Sequence, residues 1–496
     1  MLWLLVLTSC SQYDEQSLKE DEALAMAQCG SCHLYPEPSL LPKAKWDTVL
    51  TRMGARMGVH STLYNPYAEK SMDKVFKLKA ANIYPETPRL TEEEWKRIQR
   101  FFKHVAPETL EITKPDAWNP TTQFQTSFPD VNLPGYPEIT LTEYDAEANT
   151  LYLADRRGRF CSMTADFSAN YQITLPRPIV DVDRIDKHSI YLLTIGNLYP
   201  DEGSSGAVVR MDERRYERQE LQIAQLPRPV SFLSTDLDQD QKSDLLICSF
   251  GNDIGKFSRF EENLGAFAED VLKKVPGSSR VYAEDLDGNG LKDLVVLFAQ
   301  ADEGISIFYQ QENGFQEKSV LRFPSIYGSN DFEFLDFDAD GDKDIILSNG
   351  DNGDKSNVLK PYHGIRIFLN DGTQNFTQAY FFPFFGASKV RCRDFDQDGD
   401  LDIIAMSFFP DFSIDGEQSL VYLENIGDMT FQPFQIEGAN MGRWMVMDAG
   451  DIDQDGDEDV IFGSFTLNSE RIDPDLIQTW QQENKKLLFL ENQLVP

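Results

Sequence analysis

The sequence is poor in histidine, in cysteine and in basic charge. Its 496 residues include 5 His and 6 Cys, and 46 Lys and Arg stand against 82 Asp and Glu, for a formal net charge of −36. A nucleic-acid-binding protein needs a basic surface that releases counterions, so this balance excludes that class. Residues 1–7 form the apolar run MLWLLVL, which is shorter than the about 20 residues that span a bilayer.

Apolar residues are plentiful, so most of the chain is expected to fold. Hydrophobic residues make up 41% and aromatic residues 12% of the sequence, which is enough for a packed core. Basic and acidic residues nearly balance between positions 20 and 110, so the acidic excess lies downstream. Such an excess on a folded protein indicates either a solvated surface or bound cations.

The N-terminus predicts a lipid anchor. Leu7-Thr8-Ser9-Cys10 resembles a bacterial lipobox, in which the cysteine becomes the lipidated first residue of the mature protein. The resemblance implies a signal remnant at residues 1–10 and an extracytoplasmic, outer-membrane lipoprotein that faces the periplasm or the cell surface. Residues 11–22 are polar and acidic, which is typical of a tether. The alternative is a short apolar N-terminus with a chance cysteine.

The most specific motif is Cys29-Gly30-Ser31-Cys32-His33. Two thiols on one short turn can each bond one vinyl group of the same haem, and the histidine that follows then reaches the iron. The alternatives are a redox CxxC, which needs a βαβ context, and half of a zinc site, which needs a second Cys/His pair. The sequence offers neither context, so we predict covalent haem c on Cys29, Cys32 and His33.

The residues around the motif, 23–110, resemble a small all-α cytochrome c domain. A helix is expected over residues 21–28, leading into the motif, and a second over residues 46–56, where apolar residues recur at helical spacing. Thr91 is expected to cap a third helix, with Glu94 completing a capping box. This last segment resembles the C-terminal helix of cytochromes c, which packs across the N-terminal one.

The sixth iron ligand has several candidates. Methionine is the usual partner, and its thioether raises the haem potential. Met53 is favoured because its helix resembles that of haem domains fused to larger proteins, while Met57 and Met72 stay open. A second histidine, His60 or His104, is a weaker candidate and would lower the potential. Each methionine could instead serve core packing.

Three cysteines are left over. Cys248 ends the apolar run at residues 245–248 and is expected to be a buried thiol. The sequence leaves open a disulfide between Cys161 and Cys392.

Five acidic segments repeat along the rest of the chain, and their first residues lie 49 to 58 positions apart. Each follows the pattern D-x-D-x-[DN]-[GQ]-x-x-D, enters an apolar strand, and is followed by a second strand with an Asn/Gly turn. Repeats of this length predict a propeller or solenoid of four-stranded units, and the lack of βαβ alternation disfavours a parallel α/β fold. The repeated carboxylate and amide residues are Asp236, Asp238, Asp240 and Asp244; Asp285, Asp287, Asn289 and Asp293; Asp336, Asp338, Asp340 and Asp344; Asp394, Asp396, Asp398 and Asp402; and Asp451, Asp453, Asp455 and Asp459.

Two earlier units are degenerate, which brings the predicted number of blades to seven. The tetrapeptide LPRP at residues 175–178 recurs at residues 226–229, and residues 140–154 read as strand, turn and strand. Residues 488–492 repeat the strand without its acidic loop, which predicts that the two ends of the chain share one blade. The predicted architecture is therefore multidomain, with a small helical domain followed by an all-β propeller over residues 120–496.

The repeats resemble the FG-GAP/VCBS family, which occurs in integrin-like propellers and in many bacterial surface proteins. In the loop, side chains at positions 1, 3 and 5 surround one point, a carbonyl at position 7 adds an oxygen, Gly at position 6 permits the turn, and the carboxylate at position 9 completes the shell. Hard oxygen ligands in this number favour calcium. The alternative is an acidic turn that caps itself through Asx hydrogen bonds. Gln241 replaces the glycine in the first loop, which makes that site the weakest.

Three functions follow from these features. The first is an envelope-anchored cytochrome that transfers single electrons, with a propeller that docks a redox partner protein or an envelope ligand. The second is a dehydrogenase whose propeller oxidises a substrate and passes electrons to the haem, although His188 and His363 are isolated and no acid/base pair is evident. The third is a carbohydrate-binding or adhesion module. Aromatic segments at residues 380–382 and 408–410 could stack on sugars, and residues 201–202 are expected to form a solvated turn.

Overall fold

A helical unit precedes a ring of seven β-sheets in the computed structural model of the protein. Residues 13–59, 61–62, 64–113, 117–215, 217–218, 223–263, 266–351, 358–412, 417–467 and 472–494 are described. The α-helices are α1 (Glu15–Cys29), α2 (Lys43–Arg56), α3 (Met72–Ala80), α4 (Glu92–Val105) and, near the end of the chain, α5 (Pro474–Glu483). We call residues 13–113, within these described limits, the helical unit.

The helical unit is held by a small aromatic core and by defined helix ends. The Asp14 side chain caps α1 by accepting a hydrogen bond from Ser17 N. Thr91 caps α4, and Glu94 completes the capping box, which confirms the prediction from sequence. The buried face of α4 packs with α1 and α2 around an apolar cluster that includes Trp46, Leu50, Trp95, Ile98, Phe101 and Phe102. Helix α3 was not predicted.

The propeller is built from the strands that follow. In chain order they are β1 (Asn119–Pro120), β2 (Phe124–Ser127), β3 (Ile139–Asp145), β4 (Thr150–Asp155), β5 (Arg159–Met163), β6 (Ala169–Thr174), β7 (Ile179–Asp186), β8 (Ser189–Thr194), β9 (Gly206–Asp212), β10 (Glu217–Arg218), β11 (Ile223–Leu226), β12 (Pro229–Thr235), β13 (Asp244–Ser249), β14 (Lys256–Asn263), β15 (Ala266–Lys273), β16 (Ser278–Glu284), β17 (Asp293–Phe298), β18 (Gly304–Gln311), β19 (Gly314–Arg322), β20 (Ser329–Leu335), β21 (Asp344–Asn349), β22 (Gly364–Asn370), β23 (Phe376–Pro383), β24 (Ala387–Arg393), β25 (Asp402–Ser407), β26 (Leu420–Asn425), β27 (Phe431–Gln435), β28 (Trp444–Gly450), β29 (Asp459–Ser464) and β30 (Leu487–Asn492).

These strands form seven antiparallel blades, as predicted. Blades 1 to 6 begin with β3, β7, β12, β16, β20 and β24, and the short strand β1 joins blade 6 in parallel. Blade 7 combines β28, β29 and β30 with β2, so the last strand of the chain pairs with a strand from the start of the propeller. The predicted sharing of one blade by the two chain regions is therefore confirmed.

The first strand of each blade lines the axis of the ring. Each contacts the first strand of the next blade, and the seventh contacts that of blade 1. These strands do not pair with one another in a sheet. At some junctions between blades, a carboxylate of one blade therefore accepts a hydrogen bond from a backbone N–H group of the following blade. Such contacts are Asp183 Oδ2 with Ser234 N (2.7 Å), Glu333 Oε2 with Cys392 N (2.7 Å) and Asp448 Oδ2 with Tyr144 N (2.9 Å).

The core lies between the blades. The second strands of blades 2 to 7 are buried along their whole length, because both faces of each sheet are covered by neighbouring blades. Cys248 is one of these buried residues, as expected. Cys161 and Cys392 are free, buried thiols in blades 1 and 6, so the disulfide left open by the sequence does not form.

Candidate functional sites

The helical unit rests on one end of the propeller. Asp253, between the second and third strands of blade 3, accepts hydrogen bonds from Arg56 and from the Tyr84 hydroxyl (3.0 Å for Tyr84). Lys74 Nζ lies 2.9 Å from the Asp201 carboxylate of blade 2. We call these contacts the seam.

The expectation of a solvated turn at residues 201–202 is wrong. The Glu202 side chain is 4% exposed, and its Oε1 accepts a hydrogen bond from Asn252 Nδ2 at 2.6 Å. Both residues lie against the seam, where the helical unit and blade 3 cover them. No local pattern indicates this burial, because the covering residues are distant in the chain, from 50 positions for Asn252 to 127 for the pair of Lys74 with Asp201.

The CxxCH motif begins at the end of α1. Cys29 is the last residue of the helix and is half-buried, while Cys32 is exposed on the turn that follows. His33 Nδ1 lies 2.8 Å from the carbonyl oxygen of Leu34, a contact that orients the ring and leaves Nε2 for a metal. Burial lowers the pKa of His33, which favours the neutral, ligating form.

The surroundings of the motif separate the candidate sixth ligands. Met53 and Met57 are partly buried and pack against the same apolar cluster as Cys29. Met72 begins α3 and is 86% exposed. His104 is near the end of α4, where its ring packs against Tyr13. His60 lies outside the described residues, as does Cys10.

The residues at the motif fit a covalently bound haem. Burial, with a smaller effect of Cys32, raises the pKa of the Cys29 thiol to about 11. The thiol is half-buried against apolar side chains, which are suitable surroundings for a large apolar ring bonded to it. The hydroxyl of Tyr35, which packs in the same cluster, is buried without a hydrogen-bond partner among the described residues, and so is a free donor for a polar group bound there.

Blade 4 of the propeller lies next to the CxxCH motif. Leu34 and Pro324 form a parallel β-bridge. Arg322 and Asp302 of blade 4 lie close enough to His33 to act on its pKa in opposite directions, and they form an ion pair with each other at 3.1 Å. The motif therefore lies between the helical unit and the propeller.

The acidic loops occupy the opposite end of the propeller. Each connects the first and second strands of its blade, whereas the seam involves the far ends of these strands. In each loop, one oxygen from each of three carboxylates lies within 4.8 Å of the others. These groups are Asp236, Asp238 and Asp240; Asp285, Asp287 and Asp293; Asp336, Asp338 and Asp344; Asp394, Asp396 and Asp398; and Asp451, Asp453 and Asp455.

The carboxylate at position 1 provides the clearest sign of a missing partner. In the third loop, Asp336 Oδ2 accepts a hydrogen bond from Gly341 N at 3.0 Å, while Oδ1 is buried without a hydrogen-bond partner in the described part of the chain. The same buried, unpartnered Oδ1 occurs at Asp236, Asp394 and Asp451. Such atoms are costly unless a donor or cation satisfies them, so these loops fit a hard cation.

The carboxylate at position 9 also anchors the loop. Asp402 Oδ2 accepts from Phe395 N at 3.2 Å, and Oδ1 accepts from Asn425 N at 2.7 Å. Burial raises the pKa of Asp402 to about 7, and the pKa of Asp459 likewise, because hydrogen bonds only partly offset the loss of solvent. This anchoring role was not predicted.

Two positions of each loop adopt positive φ, where the sequence predicted one. Position 6 does so, as a glycine in four loops (Gly399 has φ 101°) and as Gln241 in the first, and so does position 4, where Gln397 has φ 57°. Gln397 Nε2 also donates to the Gly456 carbonyl of the next loop, at 3.3 Å. Only Gly288 among the position-4 residues is a glycine, so composition gave no clue.

Two loops differ from the others. In the second loop, Asp285 Oδ1 accepts a hydrogen bond from Gly288 N at 2.8 Å, whereas the equivalent atom of the other four loops has no partner among the described residues. This is the self-capped turn that the sequence left as an alternative. In the first loop, Asp238 and Asp244 both contact the guanidinium of Arg259.

The family comparison agrees with this repeat geometry. The model described as FG-GAP-like repeat matches residues 285–347 and 394–462. The propeller carries FG-GAP-like repeats. The matched segments contain four of the five acidic loops, and the loop at Asp236 lies outside them. No curated protein matches the chain. A seven-bladed propeller with FG-GAP-like repeats indicates a binding or adhesion role.

The remaining candidates have ordinary structural roles. Tyr380 and Phe382 pack against the core between blades 5 and 6, and the guanidinium of Arg443 lies 3.6 Å from the ring centroid of Phe408. His363 is buried, which lowers its pKa well below the usual value, and His188 lies partly buried on a turn. Among the described residues, no helix has the length and apolar character needed to cross a membrane.

Proposed function

We propose that the protein is an envelope-anchored c-type cytochrome whose propeller binds a partner. Cys29 and Cys32 would hold haem c covalently, His33 Nε2 would ligate the iron, and Met53 is our first choice of sixth ligand, with Met57 one turn further on. The haem would supply one-electron transfer. Lipidation at Cys10 would fix the chain to a membrane on the extracytoplasmic side.

The observation that carries this proposal is the state of His33. Its Nδ1 contacts a backbone carbonyl, and its Nε2 is left for a metal. It follows two thiols at the end of α1, and Cys29 packs against the same apolar cluster as the partly buried Met53 and Met57. A zinc site would need further Cys or His ligands nearby. Of the described residues, none of the grouped Cys, His, Asp or Glu ligands includes Cys29, Cys32 or His33.

The test is production of the full chain in a host that attaches haem in its periplasm. We expect one haem per chain that stays bound on denaturing gels, and no covalent haem in the Cys29→Ser, Cys32→Ser double variant. Cys248→Ser is the matched control, because it removes a buried thiol elsewhere. Wild-type protein without covalent haem would overturn the proposal.

The midpoint potential of the proposed haem tests the identity of the sixth ligand. Replacement of Met53 by His should lower the midpoint potential, since imidazole replaces a thioether at the iron. The same change at Met72, which is 86% exposed, should leave the potential unchanged. A shift with Met57→His and none with Met53→His would move the assignment to Met57.

We further propose that the acidic loops hold structural calcium. Buried, unpartnered oxygens at Asp336, Asp394 and Asp451 support this, as do the like-charged carboxylates beside them. The ions would stabilise the end of the propeller opposite the seam, and they would take no part in electron transfer.

Partner binding by the FG-GAP-like repeats is the second half of the proposal. A redox protein should oxidise or reduce the haem in a manner that depends on ionic strength, whereas an adhesion ligand such as a glycan should bind equally well to either redox state. Stopped-flow reduction and a glycan array, both with the full chain, separate these partners. Haem reduction by a sugar or an alcohol alone would instead favour the dehydrogenase.

A further inference from the structure

Among the described residues, one acidic loop of the propeller contacts a largely buried cationic side chain, and the other four do not. Arg259, on β14, places its Nη2 3.1 Å from Asp238 Oδ2 and 3.0 Å from Asp244 Oδ2. Its side chain is 16% exposed, so these contacts are largely shielded from solvent. Positions 3 and 9 of the first loop therefore share one guanidinium.

The aligned positions of the other blades show that this arrangement is particular to blade 3. Arg259 pairs across the sheet with Leu246, two residues after the carboxylate at position 9. The residues in the same register of blades 4 to 7 are Ile307, Ile367, Tyr422 and Phe489. None of them carries a positive charge, so the carboxylates of those loops have no equivalent internal cation from this position.

Other features of the loop have changed together with Arg259. Gln241 stands at position 6, where the other loops have glycine, and adopts φ 68°. Lys242, at position 7, is a second and exposed cation, and its Nζ lies 3.3 Å from Oδ2 of Asp240 at position 5. This loop is also the one outside the matched FG-GAP-like segments.

We propose that Arg259 is the resident cation of the first loop, so that this loop folds without calcium. A bound guanidinium satisfies carboxylates at positions 3 and 9 with directed hydrogen bonds, and the positive charge disfavours a divalent ion beside it. Asp236 keeps the buried Oδ1 of a ligand at position 1, but two of its partner carboxylates are occupied. The inference rests on the proposed calcium binding by the other loops.

The test is hydrogen exchange of the wild-type full chain, followed by mass spectrometry, with calcium and with a chelator. Peptides that cover residues 336–344, 394–402 and 451–459 should exchange at least about tenfold faster without calcium, and the peptide for residues 236–244 should change by less than about twofold. Equal acceleration in residues 236–244 would overturn the inference. No change in any loop would overturn the calcium proposal and, with it, the contrast drawn here.

A double variant of blade 3 tests the inference by calcium binding. Arg259→Ile with Gln241→Gly gives blade 3 the residues found in blade 5, and the double variant should bind one more calcium ion than wild type by equilibrium dialysis. Lys256→Leu is the matched control, because Lys256 lies on the same strand and pairs with Glu269 rather than with the loop. If the double variant does not fold, Gln241→Gly alone should bind no additional ion, since Arg259 remains. An extra ion in that single variant would contradict the proposal.

Discussion

Asp21 of the helical unit and Glu303 of the propeller are buried carboxylates with opposite surroundings. Asp21 is 1% exposed and accepts hydrogen bonds from Arg97 Nε (2.5 Å), Arg100 Nη2 (2.9 Å) and Tyr13. Glu303, in blade 4, is 2% exposed, and while its Oε1 accepts from Ser329 N at 2.7 Å, its Oε2 has no partner among the described residues. Burial raises the pKa of both groups, but the partners of Asp21 bring its pKa below the usual value, whereas the pKa of Glu303 rises to about 8.

The difference shows where each part of the molecule finds its positive charge. The helical unit supplies its own arginines, and its acidic and basic residues nearly balance. The propeller has far more carboxylates than basic residues, so several must be satisfied by backbone N–H groups, by protons or by ions from solvent. We therefore expect the propeller, and not the helical unit, to respond to calcium and to lose stability as pH rises from about 5 to about 8.

The largest expected effect is that of calcium removal. Each site that is filled at a hundredfold excess over its Kd contributes about 2.7 kcal/mol, so the loss of several sites should lower the Tm of the propeller by about 10 °C or more. The spectrum of the proposed haem should not change, since the loops lie at the other end of the propeller from the CxxCH motif. Differential scanning calorimetry with parallel absorbance spectra measures both.

Magnesium provides the control for this experiment. It demands octahedral geometry and keeps its water, so it should restore little of the stability that calcium restores. Equal melting temperatures with calcium and with chelator would show that the loops are self-capped turns, as the second loop already is at Asp285.

The propeller could be predicted from its sequence repeats. The helical unit has no repeats, and only part of it could be predicted. Seven blades and the shared seventh blade followed from spacing, because each repeat carries its own strands and turn. The capping box at Thr91 is likewise a local signal. The seam depends on pairs such as Arg56 with Asp253, which are 197 positions apart and have no periodic pattern. Arg259 had no signal either, because a charge on a strand usually indicates a solvent-exposed face.

Asp21→Asn tests the helical unit. The change leaves two arginines without their carboxylate and should lower the stability of this unit by about 2 to 4 kcal/mol. Because the folded pKa of Asp21 is lowered, its contribution is present above the unfolded pKa and is lost as pH falls through the folded pKa. The difference from wild type should therefore narrow below about pH 4. Hydrogen exchange of α1 and α4 measures it, with unchanged propeller peptides as the control.

Glu303→Gln tests the propeller, where the expected change of stability with pH has the opposite sign. A carboxyl whose folded pKa is raised binds its proton more tightly in the native state, so stability falls as pH rises from about 4.3 to about 8. We expect wild type to lose about 1 to 3 kcal/mol relative to the variant between pH 5 and pH 8, measured by urea unfolding. Asp351 lies nearby and raises the pKa further. Glu312→Gln, at an exposed position, should leave the pH dependence of the unfolding free energy unchanged. If Glu303→Gln also has the same pH dependence as wild type, then both oxygens of Glu303 have hydrogen-bond partners in solution.

The smallest expected effect belongs to the seam, where the two parts meet. Asp253 is a propeller carboxylate that the helical unit satisfies, through Arg56 and the Tyr84 hydroxyl. Asp253→Asn removes the charge but keeps the shape, so we expect a loss of about 1 to 2 kcal/mol in docking and no change in the Tm of the propeller. Faster hydrogen exchange in the second half of α2 and at residues 251–255 would report it. Asp270→Asn, on the exposed face of β15, is the matched control. Faster exchange throughout blade 3 would instead mean that Asp253 stabilises its own blade, and the seam would then owe its stability to apolar contacts such as that of Ile326 with the helical core.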